Sequence, residues 1–189
     1  VIVPTLIGAA IAVQLCKKYD KFKIFYFSYM FALILGIVRY IAGYENMMVY
    51  VILNALGGFP LGIAAILQYQ FTPDCYEYGQ YKTGLKMRGV TFAAQTFFTK
   101  LNGAIATAVS VFALTLIGFK EGEEIVIQAA GFADKLWTFS CLGSIIGGIG
   151  TLLILRLYKL NDHDVQLMSK CNNGEITREE AEAQMINRY

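Results

Sequence analysis

Lys100 is the only charged residue between Gly89 and Phe119, a stretch of 31 residues. It lies 11 residues past Gly89, about 16 Å along a helix rising 1.5 Å per residue. In a membrane-spanning helix that is near the bilayer centre, where a charge costs at least about 2.5–3.5 kcal/mol. A carboxylate partner or a water-filled cavity must compensate. The apolar runs of this chain hold no Asp or Glu, so a carboxylate would come from elsewhere. Backbone carbonyls and water remain the alternative. Thr96, Lys100, Gly103, Thr107 and Ser110 recur at 4-3-4-3 spacing, which sets them within about 80° of one another on a helix. Gln95, Thr99 and Asn102 widen the polar face. Such a face suits a cavity wall; close helix packing through small residues is the other reading.

Chemistry of the soluble-enzyme kind has no carrier here. The chain has no GxxxxGK, HExxH or GxSxG pattern. Its one histidine, His163, lies in the C-terminal tail between Asp162 and Asp164. That trio lacks the glycine and terminal glutamate of a calcium loop and is expected to be solvated. Cys16, Cys75, Cys141 and Cys171 have neither metal nor redox spacing. The expectation is therefore no enzyme, no catalytic residue, no metal site and no cofactor. Two other segments stand out. Asn54–Gly62 contains Pro60 among glycines, the composition of a kinked or discontinuous helix or of an ordinary proline-bearing one. Gly143 and Gly147 form a small-xxx-small pair suited to close packing.

These residues need elements to hold them, and composition names the elements. Hydrophobic residues make up 56% of the 189, and 16% are charged, against about 25% in soluble domains. Mean hydropathy is +0.50. The net charge of +2 is too balanced for a nucleic-acid binder, so no nucleic acid is expected. Continuous apolar runs without strict alternation predict helices, not barrel strands. The spans fall at about 1–16, 24–43, 47–71, 89–118 and 136–158. Val1 opens inside an apolar segment, and five is an odd number, so a piece of a longer protein is expected.

Alternating spans place Lys17, Lys18, Lys21, Lys23, Lys82, Lys86, Arg88, Arg156 and Lys159 on one side. Arg39, Lys120 and Lys135 fall on the other with Glu45, Glu121, Glu123, Glu124 and Asp134. The excess of Lys and Arg marks the first side, with the C-terminus, as cytoplasmic. Tyr44, Phe119, Trp137 and Tyr158 sit near span ends, where amphipathic rings prefer the interface. The tail 159–189 reads as a cytoplasmic segment with short helices, one opened by a capping box at Thr177–Glu180. The segment Asp74–Gly89 reads as a polar loop between spans three and four.

That loop carries the most specific motif. The run Asp74-Cys75-Tyr76-Glu77-Tyr78-Gly79-Gln80-Tyr81-Lys82-Thr83-Gly84, followed about ten residues later by Gln95-Thr96-Phe97-Phe98-Thr99-Lys100-Leu101-Asn102-Gly103-Ala104-Ile105, resembles the glycoside–pentoside–hexuronide:cation symporters, which include the bacterial melibiose carriers. The likeness extends from about Phe59 to Gly118 and, more loosely, to Tyr158–Asn161. It implies an all-α integral membrane protein of the bacterial inner membrane. The fold would be a major-facilitator-type bundle, of which these five spans are the last five of twelve. It also implies a cation-coupled sugar or glycoside symporter working by alternating access, with Na+, H+ or Li+ as coupling ion. Lys100, Gln95 and Thr96 match positions of the substrate and cation-coupling cavity. Asp74, Tyr78, Gly79, Lys82, Lys86 and Arg88 match the cytoplasmic gating loop. Related loops carry Arg then Glu where this chain has Lys86 and Arg88, which puts an ion pair there in doubt. The implied partners are the sugar, membrane lipid and the missing N-terminal half, which holds the acidic cation ligands. The other reading is a non-transporting membrane sensor or degenerate carrier of the same fold. A membrane enzyme is a weaker third, for want of an intramembrane His, Asp or Glu.

Overall fold

A computed structural model of the chain describes residues 2–119, 131–187 and 189. Lys120, Glu121, Glu123 and Glu124, counted above on the acidic side, lie outside the described residues. Seven helices follow in order: α1 (Ile2–Leu15), α2 (Lys21–Ala42), α3 (Met47–Thr83), α4 (Arg88–Ile117), α5 (Phe132–Leu155), α6 (Asp162–Asn172) and α7 (Arg178–Gln184). Helices α2 to α5 are each long and apolar enough to cross a membrane. α1 has 14 residues, about 21 Å of helix.

Capping fixes several of the ends. Asp20 accepts from Phe22 N and Lys23 N to open α2, and Asn46 accepts from Met48 N and Val49 N to open α3. α3 ends on Gly84, whose φ of +71° suits glycine. At 37 residues, α3 is about 55 Å long, well beyond a hydrocarbon core of about 30 Å. It runs through both Pro60 and Pro73.

α3 is the spine. α1 and α2 pack along its apolar part, α5 packs on α2, and α6 packs on its polar extension. Ala12, Ile24, Phe25, Ile63, Ala64 and Leu67 form the core. α1 and α3 meet at backbone distance. A Cβ on Gly8 would lie 2.1 Å from the Phe59 carbonyl oxygen, and one on Gly62 would lie 2.0 Å from that of Thr5. Gly62, two residues past Pro60, thus serves a helix contact within a continuous helix, whereas Gly57 has open space among the described residues. On α5, no neighbour from another element lies within 4 Å of where a Cβ on Gly143 or Gly147 would stand. The contact falls instead on Gly148, against Leu33.

Two expectations are corrected. The segment Asp74–Gly89 is mostly helix. Asp74, Tyr78, Gly79 and Lys82 belong to α3, the connection is Gly84–Met87 and contains Lys86, and Arg88 opens α4. Asp74, Glu77, Tyr78 and Tyr81 are spaced i, i+3, i+4, i+7, so one face of the extension can dock a neighbour. The neighbour is the tail, which is not simply solvated. Val165, Leu167 and Met168 of α6 are buried, and Asp164 is fully buried.

Candidate functional site

Lys100 sits 12 residues into α4, about 18 Å from its start. It is exposed, and among the described residues no carboxylate lies within ion-pair distance of it. α4 is sparsely covered: Ala113 is its one buried residue. The hydroxyls along it turn inward. Thr96, Thr99, Thr107, Ser110 and Thr115 each donate to the carbonyl four residues earlier, at 2.8–3.0 Å. A helix so satisfied presents hydroxyls without exposing unpaired donors, as apolar surroundings require.

The residues grouped on α4 from the sequence divide between two faces. Gln95 lines a groove of about 660 Å³ between α3 and α4, with Thr99 and Asn102 beside it and Gln68, Tyr69 and Thr72 opposite. Lys100 is five residues beyond Gln95, about 140° around the helix. Neither Thr96 nor Lys100 lines this groove; both are exposed on a face turned away from α3. The α3 side of the groove was missed in the sequence. Its signal was Gln68 and Thr72, polar residues one turn apart at the end of an apolar run.

The second cluster lies at the end of the bundle that holds the tail. Lys21 Nζ stands 2.8 Å from the Asp74 carboxylate and 3.3 Å from Asp162. The backbone N–H of Lys21 donates to Asp162 at 2.9 Å, and that of Asp162 donates to Asp20 at 2.9 Å. The amino ends of α2 and α6 therefore face each other: the Asp20 carboxylate accepts from N–H groups of both helices, and that of Asp162 accepts from Lys21 of α2. Two carboxylates, those of Asp74 and Asp162, meet one ammonium, Asp20 accepts from backbone N–H groups, and the positive ends of two helices supply the rest of the compensation. Tyr158 packs between Phe22 and Phe71 at centroid distances of 5.4 and 5.2 Å.

Farther along α3, Asn172 Nδ2 donates to both the carbonyl and the carboxylate of Glu77, at 2.9 and 2.8 Å. Tyr78 meets the Tyr189 ring at 5.8 Å. The Tyr81 hydroxyl donates to Glu182 at 3.0 Å, with the Arg178 guanidinium 4.8 Å above its ring. Arg178 and the Tyr81 hydroxyl hold the Glu182 carboxyl below its ordinary value. Asp164 ties the tail to itself. It accepts from Ile186 N, Asn187 N, Asn161 Nδ2 and the Tyr189 hydroxyl at 2.7–3.0 Å. Burial alone would raise its carboxyl, but these bonds, with His163, outweigh burial and hold it below the usual range.

Of the residues assigned to the loop, Asp74 and Tyr78 thus hold the tail or α2. Lys82 and Lys86 are exposed. Arg88 stands over the Phe92 ring at 5.8 Å. Gly79 has open space where a Cβ would stand. Among the described residues, no cluster of His, Cys, Asp and Glu suits a metal ion. All four cysteines are free.

Comparison with known proteins agrees with this architecture. The chain is 24% identical to the "Putative sulfoquinovose importer" of Escherichia coli (strain K12), over 94% of this chain and 38% of that protein. It is 21% identical to the "Putative glycoside/cation symporter YagG" of the same organism, over 88% of this chain and 36% of that one. A "Putative sulfoquinovose importer" of Salmonella typhimurium is 25% identical over 83% and 33%. The chain spans little more than a third of the length of these curated relatives. No solved structure matches it significantly. The family described as MFS/sugar transport protein matches residues 1–162, a range that includes all of α1 to α5. With four helices long and apolar enough to cross a bilayer, the chain is that of an integral membrane protein, and it belongs to the MFS/sugar transport protein family.

Proposed function

We propose that this chain is the C-terminal part of a cation-coupled sugar or glycoside symporter that works by alternating access between two halves. The four membrane-crossing helices α2 to α5, with α1 before them, would be the last five of twelve. Membership in a sugar-transport family and a relative named as a glycoside/cation symporter support the substrate class and the coupling. The observation that carries the mechanism is the open face of α4. Lys100, Thr96 and the small residues in register with them lie on a side that no described helix covers. A polar face with a central cation is costly toward lipid. It suits a water-filled cavity whose other wall is the N-terminal half.

In this reading Lys100 takes part in coupling, Thr96 lines the path on the same open face, and Gln95 lines the adjoining groove against α3. The cation, Na+, H+ or Li+, is held by carboxylates of the other half. Asp74, Tyr78, Gly79, Lys82, Lys86 and Arg88 belong to a gating region formed by the α3 extension and the start of α4. The excess of Lys and Arg at the tail end supports a cytoplasmic tail on a chain of the bacterial inner membrane.

The test is Lys100→Ala in the complete polypeptide, reconstituted into proteoliposomes. Gradient-driven accumulation is expected to vanish. Normal accumulation with normal cation dependence would refute the role of Lys100. A second reading concerns the sugar. Two relatives are named for sulfoquinovose, a sulfonated sugar, and Lys100 has no carboxylate partner among the described residues. Uptake of a sulfonated sugar that is lost in Lys100→Ala, with uptake of a neutral glycoside kept, favours Lys100 as the sulfonate's partner.

A further inference from the structure

At the end of the bundle away from the tail, α2, α3 and α5 enclose a second groove of about 380 Å³. Arg39 and Asn54 line it, and apolar or small residues make up most of the remaining wall, among them Leu33, Gly57, Leu61 and Ile145. Arg39 is three residues from the end of α2, about 4.5 Å of helix. From Arg39 the α2 wall runs to Tyr29, ten residues or about 15 Å deeper. The groove is thus a polar mouth over an apolar track.

The mouth is rich in donors. Arg39 Nη1 donates to Asn54 Oδ1 at 3.2 Å, and Asn54 Nδ2 is spent on the Tyr50 carbonyl. The Arg39 guanidinium lies 5.7 Å from the Trp137 ring, which Tyr44 and Tyr50 flank at 5.5 and 5.9 Å. Two N–H groups there, Arg39 Nε and Trp137 Nε1, are shielded from solvent and have no acceptor among the described residues. The nearby carboxylate of Asp134 takes the Tyr44 hydroxyl at 2.6 Å. Arg39 has no carboxylate within ion-pair distance among the described residues. Unmet buried donors are costly, and a guanidinium edge takes two oxygens of one phosphate or carboxylate.

We propose that this groove binds an anionic phospholipid, with the phosphate on the edge of the Arg39 guanidinium beside Trp137 and an acyl chain lying along the track toward Tyr29. The track accepts about 15 Å of chain, and the single uncompensated cation selects a lipid with net negative charge. A lipid seated so wedges α2, α3 and α5 at the end opposite the tail. The site uses none of the residues assigned to sugar or cation.

The experiment is native mass spectrometry of the complete polypeptide in detergent, titrated in turn with phosphatidylglycerol, phosphatidylcholine and inorganic phosphate. Phosphatidylglycerol is expected to bind about tenfold more tightly than phosphatidylcholine, whose choline cation sets a second positive charge beside Arg39. Arg39→Gln is expected to bring the two lipids level. Trp137→Phe, which keeps a ring and removes the N–H, is expected to weaken phosphatidylglycerol several-fold. Gly57→Leu leaves the mouth intact and fills open space on the track. It should expel both lipids, so the proposal stays testable if Arg39→Gln does not fold. Equal binding of the two lipids by the unaltered protein would overturn the proposal. So would Gly57→Leu without effect. Displacement of phosphatidylglycerol by millimolar inorganic phosphate would identify a site for free anions and also overturn it.

Discussion

The ion pair between Lys21 and Asp74 joins α2 to the polar extension of α3, and its strength can be argued before it is measured. The N–O distance is 2.8 Å, and the side chains are 18% and 8% exposed. At an effective dielectric of about 20, unit charges 4 Å apart attract by about 4 kcal/mol, from which desolvation must be subtracted. An exposed pair nets about 0.2–1 kcal/mol; a hydrogen bond to a charged group nets about 1.5–3 kcal/mol. The burial here places the pair in the second class. The perturbation is the cycle of Lys21→Met, Asp74→Asn and the double variant. Its readout is reversible unfolding of the complete protein in mixed micelles.

The coupling is expected at about 1.5–3 kcal/mol. The two single variants should also differ. Asp74→Asn leaves Lys21 with Asp162 at 3.3 Å. Lys21→Met leaves Asp20, Asp74 and Asp162 together with no ammonium between them, relieved only by two helix ends. Lys21→Met should therefore be the more damaging change, and Asp74→Asn should rescue part of it. A coupling below about 0.5 kcal/mol would show solvent screening as at any surface pair and refute the reasoning. An Asp74→Asn variant weaker than Lys21→Met would do the same.

Gly62→Ala should separate α1 from α3. Its Cβ meets the Thr5 backbone at 2.0 Å, which no rotamer relieves, so a loss of about 1–3 kcal/mol is expected. Gly143→Ala, facing open space, should leave the same unfolding transition nearly unmoved. Acid should release the tail. Because the folded carboxyl of Asp164 is depressed, its contribution is complete above the unfolded value of about 3.9 and is lost as pH falls through the folded value. Hydrogen exchange of residues 177–187 is expected to rise steeply only below that pH. Asp164→Asn should expose the segment at pH 7, and unchanged protection would exclude the carboxylate as the clasp.

The apolar runs made the bundle legible because length and absence of charge are properties of the chain itself. The capping box was legible for the same reason: Thr177 and Glu180 bond each other's backbone at 3.2 and 2.8 Å within four residues. What escaped is non-local. Charge density in Asp74–Gly89 suggested a loop. The i, i+3, i+4, i+7 set of Asp74, Glu77, Tyr78 and Tyr81 was the contrary signal, and it gains meaning only with α6 and α7 beside it. Asp164 looked solvated because three of the four donors named above come from residues 22 to 25 positions away. Gln95 was placed with Lys100 by counting polar residues; direction separates them, and direction requires knowing where α3 lies.

The described contacts give the two ends of the bundle unequal fastening, and that asymmetry bears on the alternating access proposed above. At the tail end, α2, α3 and α6 share one ammonium and two carboxylates, and α7 clasps the α3 extension through Tyr81 and Glu182. At the other end, α2, α3 and α5 meet around Arg39, Asn54 and Trp137, where two buried donors lack acceptors among the described residues. A half moving as one body needs its helices held relative to one another at both ends. The tail supplies that tie at one end. A lipid phosphate on Arg39 would supply it at the other, leaving the Lys100 face of α4 free to meet the opposing half.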